Sequence, residues 1–379
     1  MKMKTLNRFS LYWRSATRVL TLAIITLFGA IGQAAPQPGV LDETHARVRA
    51  VVALQSEVTQ DLMQSGVILG TAVGLDNSGA PALVVYVDRE HGSAAEAVRS
   101  LPPQLRGIGV KAELTDKFRA VRRRPGGHGT VSHTALQAPP IQLGTSGGWS
   151  HDLANGFCCG GTIGSLVQVN GVQYLMSNYH VFESDIVPGG NGIIANTGDP
   201  IIQPGLIDVS CNASGAQTVG TLLKLSSLPS SNVDVSVAQA SAGIVRTDGA
   251  ILEIGTLSSS TVSAFLNQAV KKSGRTTGLT RSRIGGLNAT ISVAYDNECA
   301  GGAAFTKTYT GQIMIANSNS SFLNSGDSGS LMVEDVSTNP RAVGLLYAGS
   351  STSAIANPIG QVLQFVGSKL GGTATMVGF

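Results

Sequence analysis

Hydrophobic and polar positions divide the chain into stretches of different texture. Residues 36–120 have a mixed pattern and predict a small α+β domain. Apolar residues at helical spacing from Val48 to Leu62 indicate a helix that Asp42 can cap and Gly66 can end. The remaining runs predict strands at 67–75, 82–87 and 109–114 and a short helix at 93–101.

Residues 156–379 have the pattern of an all-β barrel or sandwich. Short apolar runs alternate with glycine, serine, asparagine and proline, and no β-α-β spacing occurs. The run Ile359–Leu370 has helical spacing and predicts a helix at the C-terminus. The predicted strands include 165–169, 173–176, 219–223, 233–238, 313–315, 330–333 and 342–347.

Residues 121–155 lack apolar periodicity and are interpreted as an exposed linker. The segment contains the triplet Arg122–Arg124, several glycines and the pair Pro139-Pro140. The arginine triplet is either accessible to proteases or simply a solvated run of charge.

Residues 1–35 have the features of a secretory signal peptide. A basic stretch precedes the apolar run Val19–Phe28, and small residues follow it. The run is shorter than the ~20 residues that span a bilayer, so an uncleaved anchor is the weaker alternative. We therefore expect a protein exported to the periplasm or the medium, without stable membrane insertion after signal removal.

The balance of basic and acidic residues bears on which partners the protein is expected to bind. The 379 residues carry 26 Lys and Arg against 23 Asp and Glu, but five of the basic residues lie in the signal segment. The mature chain is nearly neutral, which argues against a general nucleic-acid binder.

Four cysteines fit an exported protein. Adjacent Cys158 and Cys159 are poorly placed to bond each other, so bridges from this pair to Cys211 and Cys299 are predicted. A zinc site is the competing interpretation, but the chain has no Cys-x-x-Cys pair. No metal or organic cofactor is implied.

Ser328 is the candidate nucleophile. The segment Asn324–Ser330 flanks it with Gly326 and Gly329, and glycine permits the tight turn that exposes a hydroxyl and converges backbone N–H groups. Asp327 could hold this turn open by pairing with a positive group. An ordinary hairpin loop would have the same composition.

His180 and Asp234 are the candidate base and orienting acid. A serine needs a base within hydrogen-bond reach, and His180 is the one histidine in an apolar, strand-ending context. The base in turn needs an acid, and Asp234 opens the apolar run 233–238, where an unpaired charge would be costly.

Three blocks of this sequence resemble chymotrypsin-like serine proteases of the secreted bacterial type. They are Ser177–Phe182, Asp234–Ala238 and Gly326–Ser330, in the family's order of His, Asp and Ser. The resemblance implies two six-stranded β-barrels with a triad of His180, Asp234 and Ser328. It covers residues 156–379 and leaves the N-terminal domain outside.

The resemblance also implies roles for other positions. The backbone N–H groups of Gly326 and Ser328 would form the oxyanion hole. The block 342–349 resembles the strand along which a substrate backbone lies, with Tyr347 and Gly349 near the specificity pocket. Phe322 stands where the trypsin subgroup has an acid, which argues against cleavage after Arg or Lys.

The sequence thus predicts a secreted serine endopeptidase acting on proteins or peptides through an acyl-enzyme. A catalytically silent homologue that binds a partner through the same cleft is the alternative, and action on non-peptide esters is a third possibility. The N-terminal domain is interpreted as a pro-region or as a permanent accessory domain.

Overall fold

The computed structural model of the chain describes residues 39–120, 131–154, 157–183, 193–295 and 305–379. The predicted signal peptide, the arginine triplet and Cys299 lie outside these residues. None of the helices in the described ranges combines the length and the apolar character needed to cross a membrane.

Residues 39–120 form an N-terminal sheet with a helix packed on it. The helix α1 (Ala46–Met63) buries Val48, Val51 and Leu54, as its spacing predicts. Its cap is His45, whose Nδ1 accepts the N–H of Arg47, whereas Asp42 accepts the N–H of Thr44 in the preceding turn. The other elements are β1 (Ile68–Leu75), β2 (Pro81–Asp88), α2 (Ala94–Ser100), β3 (Gln104–Leu105), β4 (Ile108–Thr115) and β5 (Phe118–Ala120).

The first barrel is a closed ring of strand pairings. Strand β9 continues into β10 through Gly164, so these two act as one bent strand of a six-stranded ring with the order β6, β9–β10, β11, β14, β13, β12 and back to β6. The elements are β6 (Thr145–Trp149), β7 (Leu153–Ala154), β8 (Phe157–Cys158), β9 (Gly161–Ile163), β10 (Ser165–Val169), β11 (Val172–Ser177), α3 (Tyr179–Phe182), β12 (Pro200–Gln203), β13 (Gln217–Leu223) and β14 (Ser236–Ala240).

The linker prediction differs from the structure at β6. Residues 145–149 form a fully buried strand that pairs with β9 and β12 instead of an exposed connection. The pattern misses this strand because Gly147 and Gly148 interrupt the apolar alternation. Glycine is needed at position 147, since a Cβ there would lie 2.9 Å from the carbonyl oxygen of Ile202.

The second barrel is also closed by six strands. The ring runs β15, β18, β19, β20, β17, β16 and back to β15. The predicted C-terminal helix is present as α4, and the predicted double six-stranded β-barrel is confirmed. The elements are β15 (Ala269–Gly274), β16 (Gly278–Tyr295), β17 (Phe305–Ala316), β18 (Leu331–Glu334), β19 (Ala342–Gly349), β20 (Ser353–Pro358), α4 (Ile359–Leu370) and β21 (Ala374–Met376), which pairs with β10.

The long strand β16 connects the second barrel to the N-terminal sheet. Its first half pairs with β15, and its second half pairs with β1, with Gly70 opposite Ile291. The side chain of Gln55 in α1 donates to the carbonyl oxygen of Asn288 in β16 at 2.8 Å. The N-terminal sheet is therefore hydrogen-bonded to the second barrel, and the division into domains stays a prediction.

Candidate active site

His180 and Asp234 form a buried pair in the first barrel. His180 lies in α3, directly after β11, and its Nδ1 is 2.6 Å from Oδ2 of Asp234. The backbone N–H of His180 also donates to Oδ1 of Asp234 at 3.3 Å. Neither side chain is exposed to solvent. This pairing offsets the cost of burying a carboxylate.

The chain around Asp234 is fixed by side-chain amides. The apolar run 233–238 predicts that Asp234 belongs to a strand. In the structure Asp234 instead precedes β14 and lies outside it. Its backbone N–H donates to Oδ1 of Asn357 at 2.9 Å, and its carbonyl oxygen accepts from Nδ2 of Asn178 at 2.8 Å. These contacts fix the backbone of Asp234 between Asn178, which precedes α3, and Asn357 in β20.

Ser328 lies in a tight turn that requires two glycines. Gly326 and Gly329 have φ values of +92° and +91°, which L side chains rarely adopt. A Cβ on Gly326 would lie 2.5 Å from Oγ1 of Thr276, and one on Gly329 would collide with Oγ of Ser177. Oγ of Ser328 lies 3.4 Å from the carbonyl oxygen of Tyr347.

Strand β9 forms the wall shared by the His180 helix and the Ser328 turn. The carbonyl oxygen of Ser328 accepts the N–H of Thr162 at 2.8 Å. A Cβ on Gly161 would meet both Val181, at 2.7 Å, and that same carbonyl oxygen, at 2.9 Å. Val181 follows His180 directly, so the two segments approach each other from the two barrels, separated by a glycine.

Two tyrosines that the sequence analysis does not identify complete the surroundings of Asp234. Oη of Tyr295 donates to Oδ2 of Asp234 at 2.9 Å and lies 2.5 Å from Oη of Tyr309. Burial, followed by the charge of Asp234, raises the pKa of Tyr295 well above its usual value, so the phenol remains a donor. The buried alternation of Ile291, Val293 and Tyr295 indicates an inward side chain, but not its partner.

A second buried pair supports the serine turn. Nζ of Lys272 in β15 lies 3.3 Å from Oδ2 of Asp327, and both side chains are fully buried. Oδ1 of Asp327 accepts the backbone N–H groups of Thr276 and Thr277 at 2.9 and 3.1 Å. Burial lowers the pKa of Lys272, and the neighbouring carboxylate opposes that change. Lys272 is thus the positive group that the sequence analysis leaves unidentified.

Glu183 is a buried acid directly after α3. It accepts the N–H groups of Leu225 and Ser226 at 3.0 and 3.1 Å and the hydroxyl of Ser236 at 2.9 Å. Burial raises the pKa of Glu183 to about 7, although these hydrogen bonds act in the opposite direction. The carboxyl group links the helix that carries His180 to the strand that follows Asp234.

The predicted substrate-binding residues fall into two groups. Tyr347 and Gly349 lie on β19, where the carbonyl oxygen of Tyr347 is 3.4 Å from Oγ of Ser328 and the ring of Tyr347 packs 5.0 Å from that of Tyr309. Phe322 is only 1% exposed, and its side chain lies in the apolar core between the second barrel and α1. A role for these three residues in a specificity pocket stays a prediction.

A disulfide ties the first barrel together. Cys158 is bonded to Cys211, as one of the predicted pairings requires, and Cys159 is also disulfide-bonded. No cysteine among the described residues is free. These bonds remove the thiolates that the alternative zinc site would need.

Comparison with known proteins gives one family model and several solved structures. The family model for the Nal1 C-terminal domain matches residues 228–357, about a third of the chain. No curated protein matches.

The solved structures include bacterial serine proteases of low similarity. A glutamic acid specific serine protease is 19% identical, with 62% of this chain and 100% of that chain covered and a TM-score of 0.39. Thermobifida fusca Protease A is 17% identical, with 63% and 99% covered and a TM-score of 0.39. Cellulomonas bogoriensis chymotrypsin is 20% identical, with 57% and 91% covered and a TM-score of 0.34.

Proposed function

We propose that this protein is a secreted serine endopeptidase with His180, Asp234 and Ser328 as its catalytic residues. The observation that carries the proposal is the buried contact of 2.6 Å between His180 and Asp234 beside the glycine-flanked Ser328 turn. A buried carboxylate on Nδ1 of an imidazole fixes the tautomer in which Nε2 can accept a proton.

In the proposed reaction, Oγ of Ser328 attacks the peptide carbonyl carbon and its proton passes to His180. The tetrahedral oxyanion receives hydrogen bonds from the N–H groups of Gly326 and Ser328, each worth about 3 kcal/mol in the transition state. His180 then protonates the leaving amine, and the C–N bond breaks to leave an acyl-enzyme. Water then attacks the acyl carbon while His180 accepts its proton. His180 returns that proton to Oγ of Ser328 as the ester bond breaks and the carboxylic acid leaves.

Asp327 and Lys272 would keep this machinery assembled. In the proposal, the ammonium group of Lys272 compensates the buried carboxylate of Asp327, which in turn binds the backbone at Thr276 and Thr277. Because Lys272 supplies this positive charge, the serine turn needs none from an amino group released by proteolysis.

A small fluorophosphonate probe tests the proposal. We expect covalent labelling of the full chain at Ser328, no labelling of Ser328→Ala, and labelling of Ser321→Ala, which changes an exposed serine in the same barrel. Folded protein that shows no reaction at Ser328 would favour the alternative of a silent homologue that binds a partner. Comparison of ester and peptide substrates would separate esterase from peptidase action.

The export and domain assignments are part of the same proposal. We expect the mature N-terminus near Ala35 if the signal peptide alone is removed, or beyond residue 120 if residues 36–120 are a pro-region. Mass spectrometry of the secreted, active protein distinguishes these outcomes.

A further inference from the structure

Strand β5 of the N-terminal domain lies on the strand that the sequence analysis assigns to substrate binding. Arg119 pairs antiparallel with Gly349 in β19. On its other side, β5 pairs in parallel with the end of β16, where Ala120 lies opposite Tyr295. A segment of the chain itself therefore fills the space between Gly349 and Tyr295.

The direction of β5 leads toward the proposed nucleophile. In an antiparallel pair, residues after Arg119 lie opposite residues before Gly349. The strand thus advances toward Tyr347, whose carbonyl oxygen lies 3.4 Å from Oγ of Ser328. The pairing with Tyr295 supports the same placement, because Oη of Tyr295 donates to Asp234.

Polar contacts anchor the residues that precede β5. The backbone N–H of Ser351 donates to both oxygens of Asp116, at 3.1 and 3.2 Å, and the Ser351 hydroxyl donates to the same side chain. Thr115 donates to Oγ of Ser350 at 2.7 Å and accepts from Thr352 at 2.8 Å. This cluster fixes the start of β5 just beyond the end of β19.

Side-chain burial adds to the anchoring. Phe118 is completely buried and packs edge-on against Tyr86 of β2, with ring centroids 5.5 Å apart. Ala120 is also buried, whereas Arg119 between them is exposed. Phe118 therefore anchors β5 in an apolar cluster shared by the N-terminal sheet and the second barrel, while Arg119 is paired with Gly349 of β19.

We propose that β5 competes with substrate from within the same chain. It occupies the part of the cleft that would bind substrate residues N-terminal to the cleaved bond, so that the intact chain is inhibited toward extended peptides. The proposal rests on the proposed function. Strand addition to an exposed edge is a general way to bind an extended peptide, and one edge can pair with one strand at a time. Because β5 is tethered, its effective concentration at β19 is on the order of millimolar or more.

Substitutions at Arg119 test the pairing without changing the proposed catalytic residues. Arg119→Pro removes a backbone N–H and restricts the backbone, which weakens pairing with β19, whereas the matched variant Arg119→Ala keeps the backbone N–H. We expect Arg119→Pro to cleave a library of extended peptides at least 10-fold faster than the parent chain, and Arg119→Ala to remain within 3-fold of it. Thermal unfolding verifies that both variants are folded.

Two further measurements distinguish failure of the proposed inhibition from failure of the proposed function. A synthetic peptide with the sequence of residues 113–120 should inhibit Arg119→Pro competitively. A small fluorophosphonate, which does not need the β19 edge, should label the parent and both variants at Ser328. Labelling of the parent together with peptide cleavage as fast as that of Arg119→Pro, or failure of the peptide to compete, would overturn the inhibition by β5. Loss of labelling in all three proteins would instead contradict the proposed function.

Discussion

Each barrel contains a fully buried pair of a carboxylate and a basic side chain, and the basic partner differs between the two barrels. In the first barrel Asp234 contacts His180, and in the second Asp327 contacts Lys272. All four side chains are fully buried. An imidazole can gain and lose a proton near neutral pH, whereas an ammonium group paired with a carboxylate holds a steady charge. The first pair is therefore suited to proton transfer and the second to holding a backbone turn.

The hydrogen-bond donors to Asp234 and Asp327 also differ, in agreement with these two roles. Asp327 accepts backbone N–H groups from Thr276, Thr277 and Asn324, so it joins separate chain segments. Asp234 accepts from the side chains of His180 and Tyr295 and from one backbone N–H. A change at Asp234 should therefore affect reactivity first, and a change at the Lys272–Asp327 pair should affect stability first.

The largest expected effect is on reactivity, at Asp234. Asp234→Asn keeps the volume but removes the charge that fixes the imidazole tautomer, so the rate of fluorophosphonate labelling should fall by about 10³–10⁴-fold. Labelling kinetics with the folded variant measure this. A rate within 10-fold of the parent would mean that Asp234 does not orient the base.

The second pair should respond mainly in stability. Lys272→Met leaves Asp327 buried without its cation, and the free energy of unfolding should fall by about 3–5 kcal/mol. Lys271→Met is the matched control, because Nζ of Lys271 donates to the carbonyl oxygen of Val336 and no carboxylate is within 4 Å of it among the described residues. Denaturant titration compares the variants, and equal losses would show that the ion pair has no special role.

The raised pKa of Glu183 predicts that the stability of the fold depends on pH. Burial raises the pKa of Glu183 to about 7 from an ordinary value of 4.5. Between pH 4.5 and pH 7 the unfolded chain has released the Glu183 proton, whereas the folded chain still holds it. Burial of Glu183 should therefore destabilise the fold progressively as pH rises from about 4.5 to 7. The total is about 3 kcal/mol. Glu183→Gln should flatten this part of the pH–stability curve, and an unchanged slope would contradict the assignment.

The smallest expected effect is at Tyr295. Tyr295→Phe removes one hydrogen bond to Asp234, worth about 1.5–3 kcal/mol for a charged acceptor, so labelling should slow by about 10- to 100-fold. Tyr309→Phe, one hydrogen bond further from Asp234, serves as the control and should slow labelling less. The reverse order would show that Tyr295 does not act through Asp234.

Local periodicity by itself determined several elements of this protein. The helix Ile359–Leu370 and the strand Ser165–Val169 have the bounds that their apolar spacing predicts. Such elements follow from side chains within a few residues of each other, because each must present one continuous apolar face. The local context and the order of His180, Asp234 and Ser328 in the chain also predict them as candidate site residues.

Tertiary structure alone decided which distant groups meet. The Lys272–Asp327 pair spans 55 residues, and the contact of Tyr295 with Asp234 spans 61, so no local pattern relates them. Barrel closure brings strands together over such separations, and it also recruits the glycine-rich strand 145–149, which has no apolar alternation. The position of β5 on β19 has the same origin, since β1 and β5 both pair with the distant strand β16.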